Sequence, residues 1–167
     1  MAQVTRLTPD DVERYQAIRR EMLLEAPWAF GSAPGFDRTE DGDAMRASLA
    51  KPEHAIFGAC TDGELVSVAG VIRNEGPKLR HRAFIWGVYT TPEQRGKGYS
   101  RFVVEAAIAL AKTWDGLHAV DLCVTESAAS AIALYESLGF ERWGTEPEAM
   151  LIDGELISEH HMRLVLR

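Results

Sequence analysis

A glycine-rich junction between a predicted strand and a predicted helix constrains this chain more than any other segment. Residues 90–101 read Thr-Thr-Pro-Glu-Gln-Arg-Gly-Lys-Gly-Tyr-Ser-Arg, and they join a predicted strand over 83–89 to a predicted helix over 99–113. Because Gly96 and Gly98 carry no side chains, backbone N–H groups are accessible ahead of the helix, where the helix dipole also favours negative charge. The junction therefore predicts a site for a phosphate-bearing ligand.

Two other glycine-rich phosphate loops are excluded by residues at fixed positions. A dinucleotide-binding fingerprint requires a third glycine at position 101, where this chain has Arg101. A nucleoside-triphosphate loop requires Ser or Thr directly after its lysine, but Lys97 is followed by Gly98. A tight, solvated turn that binds nothing remains the alternative to a phosphate site.

A second informative segment lies about 30 residues further along the chain. Residues 127–140 read Ser-Ala-Ala-Ser-Ala-Ile-Ala-Leu-Tyr-Glu-Ser-Leu-Gly-Phe. The spacing of Ile132, Tyr135 and Leu138 predicts an amphipathic helix, and Gly139 is placed to end that helix in the left-handed conformation.

The two segments together resemble the signatures of the GNAT acetyltransferase superfamily. The coenzyme A loop of that superfamily has Arg or Gln, two residues, Gly, one residue, and then Gly or Ala. Arg95, Gly98 and Ser100 occupy these positions, and Ser100 departs from the usual small apolar residue. The superfamily's second signature is a helix carrying Ala-x-x-Leu-Tyr that ends at Gly-Phe, and the segment 127–140 is similar to it. The resemblance covers residues 7–166.

Hydrophobic periodicity and turn residues predict the remaining elements. A strong hairpin signal, Asp62-Gly63, separates two of the predicted strands. The predicted helices cover 9–24, 41–49, 99–113 and 127–138, and the predicted strands cover 4–7, 55–61, 64–72, 83–89, 118–124, 140–144 and 158–166.

These elements indicate one α/β domain over residues 1–167, without a repeat or linker that would divide it. The resemblance implies the single-domain GNAT fold: a mixed, mostly antiparallel sheet with helices on both faces. That sheet is splayed open between its fourth and fifth strands, which would be 83–89 and 118–124, and the gap admits the pantetheine arm of the cofactor.

Composition excludes several classes of function. The formal net charge of −7 argues against nucleic-acid binding and favours a cationic or neutral acceptor. No stretch approaches the length of a membrane span, so neither a membrane nor a secreted location is expected. Cys60 and Cys123 fall inside predicted strands and are expected to be reduced core thiols of a cytoplasmic protein, without a metal site.

The resemblance implies transfer of an acetyl group from acetyl-CoA to a primary amine of a small molecule or peptide, by direct attack. Tyr135 matches the family's tyrosine and would be the general acid that protonates the leaving thiolate. Trp28 and Phe30 lie in the segment that usually lines the acceptor channel. The expected cofactor-binding residues are Val88, Tyr89, Thr90, Arg95, Gly96, Lys97, Gly98, Tyr99, Ser100 and Arg101.

Several points stay open at this level. Ala128 stands where the family often has an asparagine that bonds the pantetheine, and Ser127 or Ser130 could substitute for it. The base that deprotonates the amine is unassigned among water and five side chains, namely Glu21, Glu25, Glu126, His160 and His161. A non-catalytic module that binds coenzyme A for regulation or interaction, an acyltransferase that uses another acyl-CoA, and assembly as a homodimer also remain open.

Overall fold

A seven-stranded mixed sheet carries helices on both of its faces in the computed structural model, which describes residues 3–166. The helices are α1 (Val12–Glu25), α2 (Gly42–Leu49), α3 (Tyr99–Ala111) and α4 (Ala129–Ser137). The strands are β1 (Gln3–Arg6), β2 (His54–Thr61), β3 (Glu64–Arg73), β4 (Arg82–Thr90), β5 (Ala119–Thr125), β6 (Glu141–Ile152) and β7 (Glu155–Val165).

Short polar side chains define where the elements begin and turn. Before α1, the Asp11 carboxylate accepts a hydrogen bond from the Thr8 backbone N–H at 2.8 Å, and before α2 the Asp41 carboxylate accepts one from Ala44 at 3.0 Å. Both carboxylates accept hydrogen bonds from backbone N–H groups near the start of a helix that would otherwise lack a partner. At the β2–β3 turn, Asp62 and Gly63 both adopt a positive φ, of 52° and 84°, which is the requirement of a two-residue hairpin.

The sheet has the order β1-β2-β3-β4-β5-β7-β6, and its one parallel contact joins β4 to β5. That contact is short, because only residues 82–84 of β4 pair with residues 119–121 of β5. Beyond Phe84 and Asp121 the two strands separate, while each stays paired with its other neighbour through Thr90 and Thr125. The expected splay between the fourth and fifth strands is confirmed.

Two separate apolar clusters lie on the two faces of the sheet. One cluster packs α3 and α4 against the sheet around Val104, Leu122 and Met162. The other packs α1 and α2 around Met22 and Val68. Since alternate residues of a strand point to opposite faces, Leu122 faces α3 and α4, whereas its neighbours Asp121 and Cys123 face the side of α1 and α2.

The α/β GNAT fold expected from the sequence is confirmed, with two local corrections. The strands β6 and β7 are longer than expected, because a second Asp-Gly hairpin at Asp153-Gly154 (φ 50° and 84°) joins them. Cys60 and Cys123 are free thiols, but both are partly exposed rather than core residues.

No helix within residues 3–166 is both long and apolar enough to cross a bilayer.

Candidate active site

A cleft of about 790 Å³ occupies the gap where β4 and β5 separate. Its walls come from both split strands, the glycine-rich loop before α3, the first turns of α4 and the segment after α1. The cleft therefore reaches both faces of the sheet. All the predicted site residues except Lys97 line it, namely Trp28, Phe30, Val88, Tyr89, Thr90, Arg95, Gly96, Gly98, Tyr99, Ser100, Arg101 and Tyr135.

A β-bulge in β4 shapes one wall of the cleft. Val68 and Gly70 of β3 pair with Tyr89 and Trp86 of β4, so β4 contains one extra residue in this stretch. Gly87 adopts a φ of 59° there, a conformation that glycine reaches without steric cost. Because β5 has already separated from β4 at this level, the bulge leaves backbone hydrogen-bonding groups of β4 open to the cleft.

The glycine-rich loop presents a row of backbone donors at one end of the cleft. Gly96 and Gly98 have φ values of 75° and 84°, and a Cβ at either position would meet nothing closer than 3.8 Å. The glycines are thus needed for the backbone conformation rather than for space. Among the hydrogen bonds of residues 3–166, no N–H from Gly96 to Arg101 donates to a protein oxygen, and Phe102 is the first that does, to Gly98 at 3.2 Å.

The side chains of this loop bind neighbouring protein groups. The Arg95 guanidinium donates to the Thr90 carbonyl oxygen at 3.1 Å and to the Glu25 carboxylate at 2.6 Å. The Lys97 ammonium donates to the Gln94 side chain at 2.8 Å and does not line the cleft. These contacts hold the loop against β4 and α1, so the backbone is left as the part of the loop that faces the cleft.

Ser100, which departs from the family pattern, bonds to the protein. Its hydroxyl lies 2.7 Å from the Thr90 hydroxyl, which in turn lies 2.8 Å from the Ser67 hydroxyl. The chain of three hydroxyls ends on the Tyr89 carbonyl oxygen, to which Ser67 donates at 3.0 Å. The serine at position 100 therefore ties the start of α3 to β4 and β3.

Tyr135 lies in the wall of the cleft on α4. Its side chain is 6% exposed and packs against Phe140, with 5.9 Å between the ring centroids. Its hydroxyl has no hydrogen-bond partner among residues 3–166, and burial raises the pKa of this phenol well above its usual value of 10. The group is therefore a protonated donor at neutral pH.

The start of α4 offers small residues to the cleft. Ala128 is the N-cap of the helix and has no side chain able to cap it, and Ser127 and Ser130 line the cleft beside it. Thr125 at the end of β5 also lines the cleft, and its buried hydroxyl lacks a partner within the described chain. Sequence reasoning identified the two serines, whereas Thr125 was missed.

The segment after α1 forms the opposite wall. Trp28 is 42% exposed, and Phe30 packs edge-on against Tyr89 with 6.5 Å between the ring centroids. The Arg19 guanidinium lies 5.7 Å from the Phe30 ring and makes a buried ion pair with Asp37 at 2.6 Å. Two aromatic rings thus line this wall of the cleft.

Two of the candidate bases, Glu21 and Glu25, are held by other groups. The Tyr89 hydroxyl donates to Glu21 at 2.9 Å, and Glu25 accepts from Arg95 at 2.6 Å. Burial raises the pKa of Tyr89, and the carboxylates of Glu21 and Glu25 raise it further, so this phenol keeps its proton. Both carboxylates serve to fix the cleft wall.

Cys123 is the cleft residue that the sequence analysis misjudged. It lines the cleft on the face of β5 towards α1 and α2, and its Sγ lies 3.3 Å from Nδ1 of His161 on β7. In the described chain no group of three His, Cys, Asp or Glu side chains is arranged to hold a metal ion. The alternation of apolar residues in β5 could have placed Cys123 on the face opposite Leu122.

The family model described as the acetyltransferase (GNAT) family matches residues 15–140. This range includes the glycine-rich loop, both split strands and Tyr135.

Two curated proteins similar to this chain are acetyltransferases that are named for different substrates. A mycothiol acetyltransferase from Paenarthrobacter aurescens is 32% identical over 135 residues, which cover 73% of this chain and 41% of that protein. An L-amino acid N-acetyltransferase from Escherichia coli is 26% identical over 107 residues, which cover 64% of this chain and 65% of that protein. The chain thus matches less than half of the length of the first of these relatives.

Solved structures share the fold at low sequence identity. The acetyltransferase of the GNAT family from Streptococcus pneumoniae has a TM-score of 0.89 at 16% identity, covering 99% of this chain and 100% of that one. A putative acetyltransferase from Salmonella typhimurium, solved with its cofactor acetyl-CoA, has a TM-score of 0.87 at 20% identity, covering 100% of this chain and 95% of that one.

Proposed function

The chain belongs to the GNAT acetyltransferase family, and we propose that it transfers an acetyl group from acetyl-CoA to a primary amine of a small molecule or peptide. The observation that carries the proposal is the position of the cleft between β4 and β5. It joins a row of unpaired backbone donors at one end to a protonated tyrosine in its wall.

The donor is anchored through its pyrophosphate at the start of α3. The N–H groups from Gly96 to Arg101 have no protein acceptor in the described chain, and the helix dipole adds favourable potential for an anion there. The side chains of Arg95 and Lys97 are engaged by Glu25 and Gln94. Binding therefore depends on backbone geometry more than on the charge of the loop.

The pantetheine arm carries peptide-like amides, which pair with the open edge of β4. Val88, Tyr89 and Thr90 line the cleft where β5 no longer pairs with this strand. The arm would add to that edge as an extended segment adds to a sheet. An N–H exposed at the bulge beside Gly87 is suited to polarise the thioester carbonyl and to stabilise the oxyanion.

Tyr135 is the general acid of the proposed reaction. The amine attacks the thioester carbon directly, and the tetrahedral intermediate expels a thiolate whose conjugate acid has a pKa of about 8.5. Burial raises the pKa of the Tyr135 phenol, so the group is protonated at neutral pH when the thiolate forms beside it.

The acceptor approaches past Trp28 and Phe30. The aromatic faces of this wall favour a cationic or apolar amine, and the net charge of −7 favours a cation over an anion.

Calorimetry with acetyl-CoA, followed by a free-thiol assay against a panel of amines, tests the proposal. The panel includes L-amino acids, because one relative is an L-amino acid N-acetyltransferase, together with polyamines, amino sugars and peptides. We expect binding of acetyl-CoA and thiol release with at least one amine, whose product gains one acetyl group by mass.

The two assays also distinguish the proposal from its alternatives. Binding of acetyl-CoA without thiol release from any amine would favour a non-catalytic module that binds the cofactor. Faster release from propionyl-CoA or a longer donor, with one good acceptor, would favour a different acyl group. The absence of binding at millimolar acetyl-CoA would contradict the proposal altogether.

A further inference from the structure

A cysteine, a histidine and a glutamate form a connected cluster on the face of the sheet towards α1 and α2. Cys123 and His161 are paired across β5 and β7, and Cys123 Sγ lies 3.3 Å from Nδ1 of the imidazole. On the other side of the ring, His161 Nε2 lies 3.2 Å from a carboxylate oxygen of Glu146 on β6. Three neighbouring strands thus bring one acid, one imidazole and one thiol into line.

The hydrogen bond to Glu146 determines which ring nitrogen of His161 carries the proton. Glu146 accepts the hydrogen bond from Nε2–H, so the lone pair of the neutral imidazole is on Nδ1. That lone pair is directed at Cys123, and the Cys123 side chain lines the cleft. His161 does not itself line the cleft, so the Cys123 thiol lies between this proton acceptor and the cleft.

The thiol at this position is suited to donate to the imidazole rather than to act as a nucleophile. Burial, reinforced by Glu159, Glu146 and Asp121, raises the pKa of Cys123 to about 11. A nucleophilic cysteine requires the thiolate, and that form is scarce near neutral pH when the pKa is so high. The cluster is consequently better matched to proton transfer.

Of residues 3–166, those that line the cleft include no histidine, aspartate or glutamate. An amine acceptor is an ammonium ion near neutral pH and must lose a proton before its nitrogen attacks. No histidine or carboxylate lies between Ala83 and Tyr89, and the carboxylates of Glu21 and Glu25 are held by Tyr89 and Arg95.

We propose that His161, oriented by Glu146, is the base that deprotonates the acceptor amine through the Cys123 thiol. The inference rests on the proposed function. One N–H bond of the ammonium breaks and its proton bonds to Cys123 Sγ, while the S–H proton of Cys123 passes to Nδ1 of His161. The electron pair left on nitrogen attacks the thioester carbonyl. The imidazolium that forms is stabilised by the Glu146 carboxylate, and it returns its proton to solvent after the product leaves.

The charges around His161 favour a cationic acceptor at this position. Besides Glu146 on β6, Glu159 on β7 faces the cluster, and burial together with Glu146 raises its pKa. Asp121 on β5 is bound by Arg163 of β7 at 2.6 Å, which leaves no unpaired cation among these groups. The ring of Trp143 lies 5.2 Å from the imidazole, measured between the ring centroids.

The neighbouring histidine supplies a matched control. His160 pairs with Val124, so its side chain projects to the opposite face of β7. Its Nδ1 lies 2.9 Å from the Thr145 hydroxyl, whereas Nδ1 of His161 lies beside Cys123. His160→Gln therefore makes the same chemical change in β7 as His161→Gln, but it leaves Cys123, His161 and Glu146 in place.

The test measures kcat and KM between pH 5.5 and 9, with the best amine of the panel, for the full chain and three variants. We expect His161→Gln to lose about 100-fold or more in kcat, which is the usual contribution of a general base. It should also lose the ascending limb of the pH profile that a general base produces. His160→Gln should stay within about twofold of the unsubstituted chain, and Glu146→Gln should fall between these two, about tenfold down.

Two further measurements separate chemistry from folding. Each variant should melt and bind acetyl-CoA as the unsubstituted chain does, since His161 lies outside the donor end of the cleft. Added imidazole should restore part of the activity of His161→Ala, because a small base can occupy the space left by the side chain. A purely structural role of His161 would give no such rescue.

Three results would overturn the inference. The first is a wild-type rate and pH profile in His161→Gln, and the second is an equal loss in His160→Gln. The third is acetylation of Cys123, detected by mass after incubation with acetyl-CoA alone, since this would make the cluster a nucleophile. Absence of thiol release from the unsubstituted chain would overturn the proposed function as well, whereas an active chain indifferent to His161→Gln overturns only this inference.

Discussion

Replacing Tyr135 with phenylalanine removes one oxygen atom from the wall of the cleft. The ring keeps its edge-on contact with Phe140 at 5.9 Å, and no hydrogen bond within the described chain is broken. The substitution therefore tests the proton on this phenol with little other change to the fold.

The expected loss follows from the leaving group. A proton donor contributes about 10²–10⁴ in rate, and a thiolate with a conjugate acid of pKa about 8.5 departs unaided more easily than an alkoxide. We therefore expect the lower end, about 100-fold in kcat, which corresponds to about 2.7 kcal/mol at 1.36 kcal/mol for each factor of ten. The Kd of acetyl-CoA should not change, because the donor is held at the other end of the cleft.

The pH dependence and stability of Tyr135→Phe give two further checks. Because burial raises the pKa of Tyr135, the phenol stays protonated between about pH 7 and 9, and the ratio of the two rates should be constant over that range. The free energy of unfolding should change by less than about 0.5 kcal/mol, because the hydroxyl has no protein partner to lose.

Tyr15 provides the control, since it is also a buried helical tyrosine whose hydroxyl has no partner in the described chain. Tyr15→Phe should keep its turnover within about twofold, because Tyr15 does not line the cleft. Steady-state kinetics under conditions where chemistry limits the rate make the comparison. Full turnover in Tyr135→Phe, or an equal loss in Tyr15→Phe, would refute the assignment of the acid.

Three other substitutions test how the site is built. Gly98→Ala should raise the Kd of acetyl-CoA about fivefold in calorimetry. An alanine at φ 84° carries about 1 kcal/mol of strain, which is relieved only if the backbone N–H donors of the loop move. Gly63→Ala, at the same φ in a distant hairpin, should lower the melting temperature but leave that Kd unchanged. Asp37→Asn should destabilise the fold by about 3 kcal/mol in denaturant unfolding, because it leaves the buried Arg19 guanidinium without its ion pair. Burial opposes ionisation of Asp37, but its hydrogen bonds prevail and lower its pKa. The stability that this ion pair contributes is therefore present above about pH 4 and lost as the pH falls below it. Ser100→Ala should leave the Kd within about threefold, because its hydroxyl bonds to Thr90, and should cost about 1 kcal/mol of stability.

The donor half of the cleft was predictable from the sequence because its determinants are local. Gly96 and Gly98 define the loop within a few residues of the helix that they open, and Tyr135 and Gly139 share one helix turn. Short-range spacing therefore indicated the backbone donors and the tyrosine, with the family resemblance supplying their roles.

The acceptor half depends on contacts between residues far apart in the chain. Cys123 and His161 are separated by 38 residues, and their contact follows from the register of β5 on β7. The hairpin at Asp153-Gly154 fixes the register of β6 on β7 and so places Glu146 beside His161. Asp153-Gly154 carries the same turn signal as Asp62-Gly63. It was not recognised as a hairpin turn because residues 145–157 were expected to be a loop between two short strands.

The separation of β4 and β5 has a kinetic consequence. It opens a passage through the sheet, walled by α3 and α4 on one side and by Trp28 and Phe30 on the other. Thioester and amine can thus enter from opposite mouths and meet in the middle, without either having to depart first. Initial-rate plots against one reactant at fixed levels of the other should then intersect, as in a ternary complex, instead of running parallel.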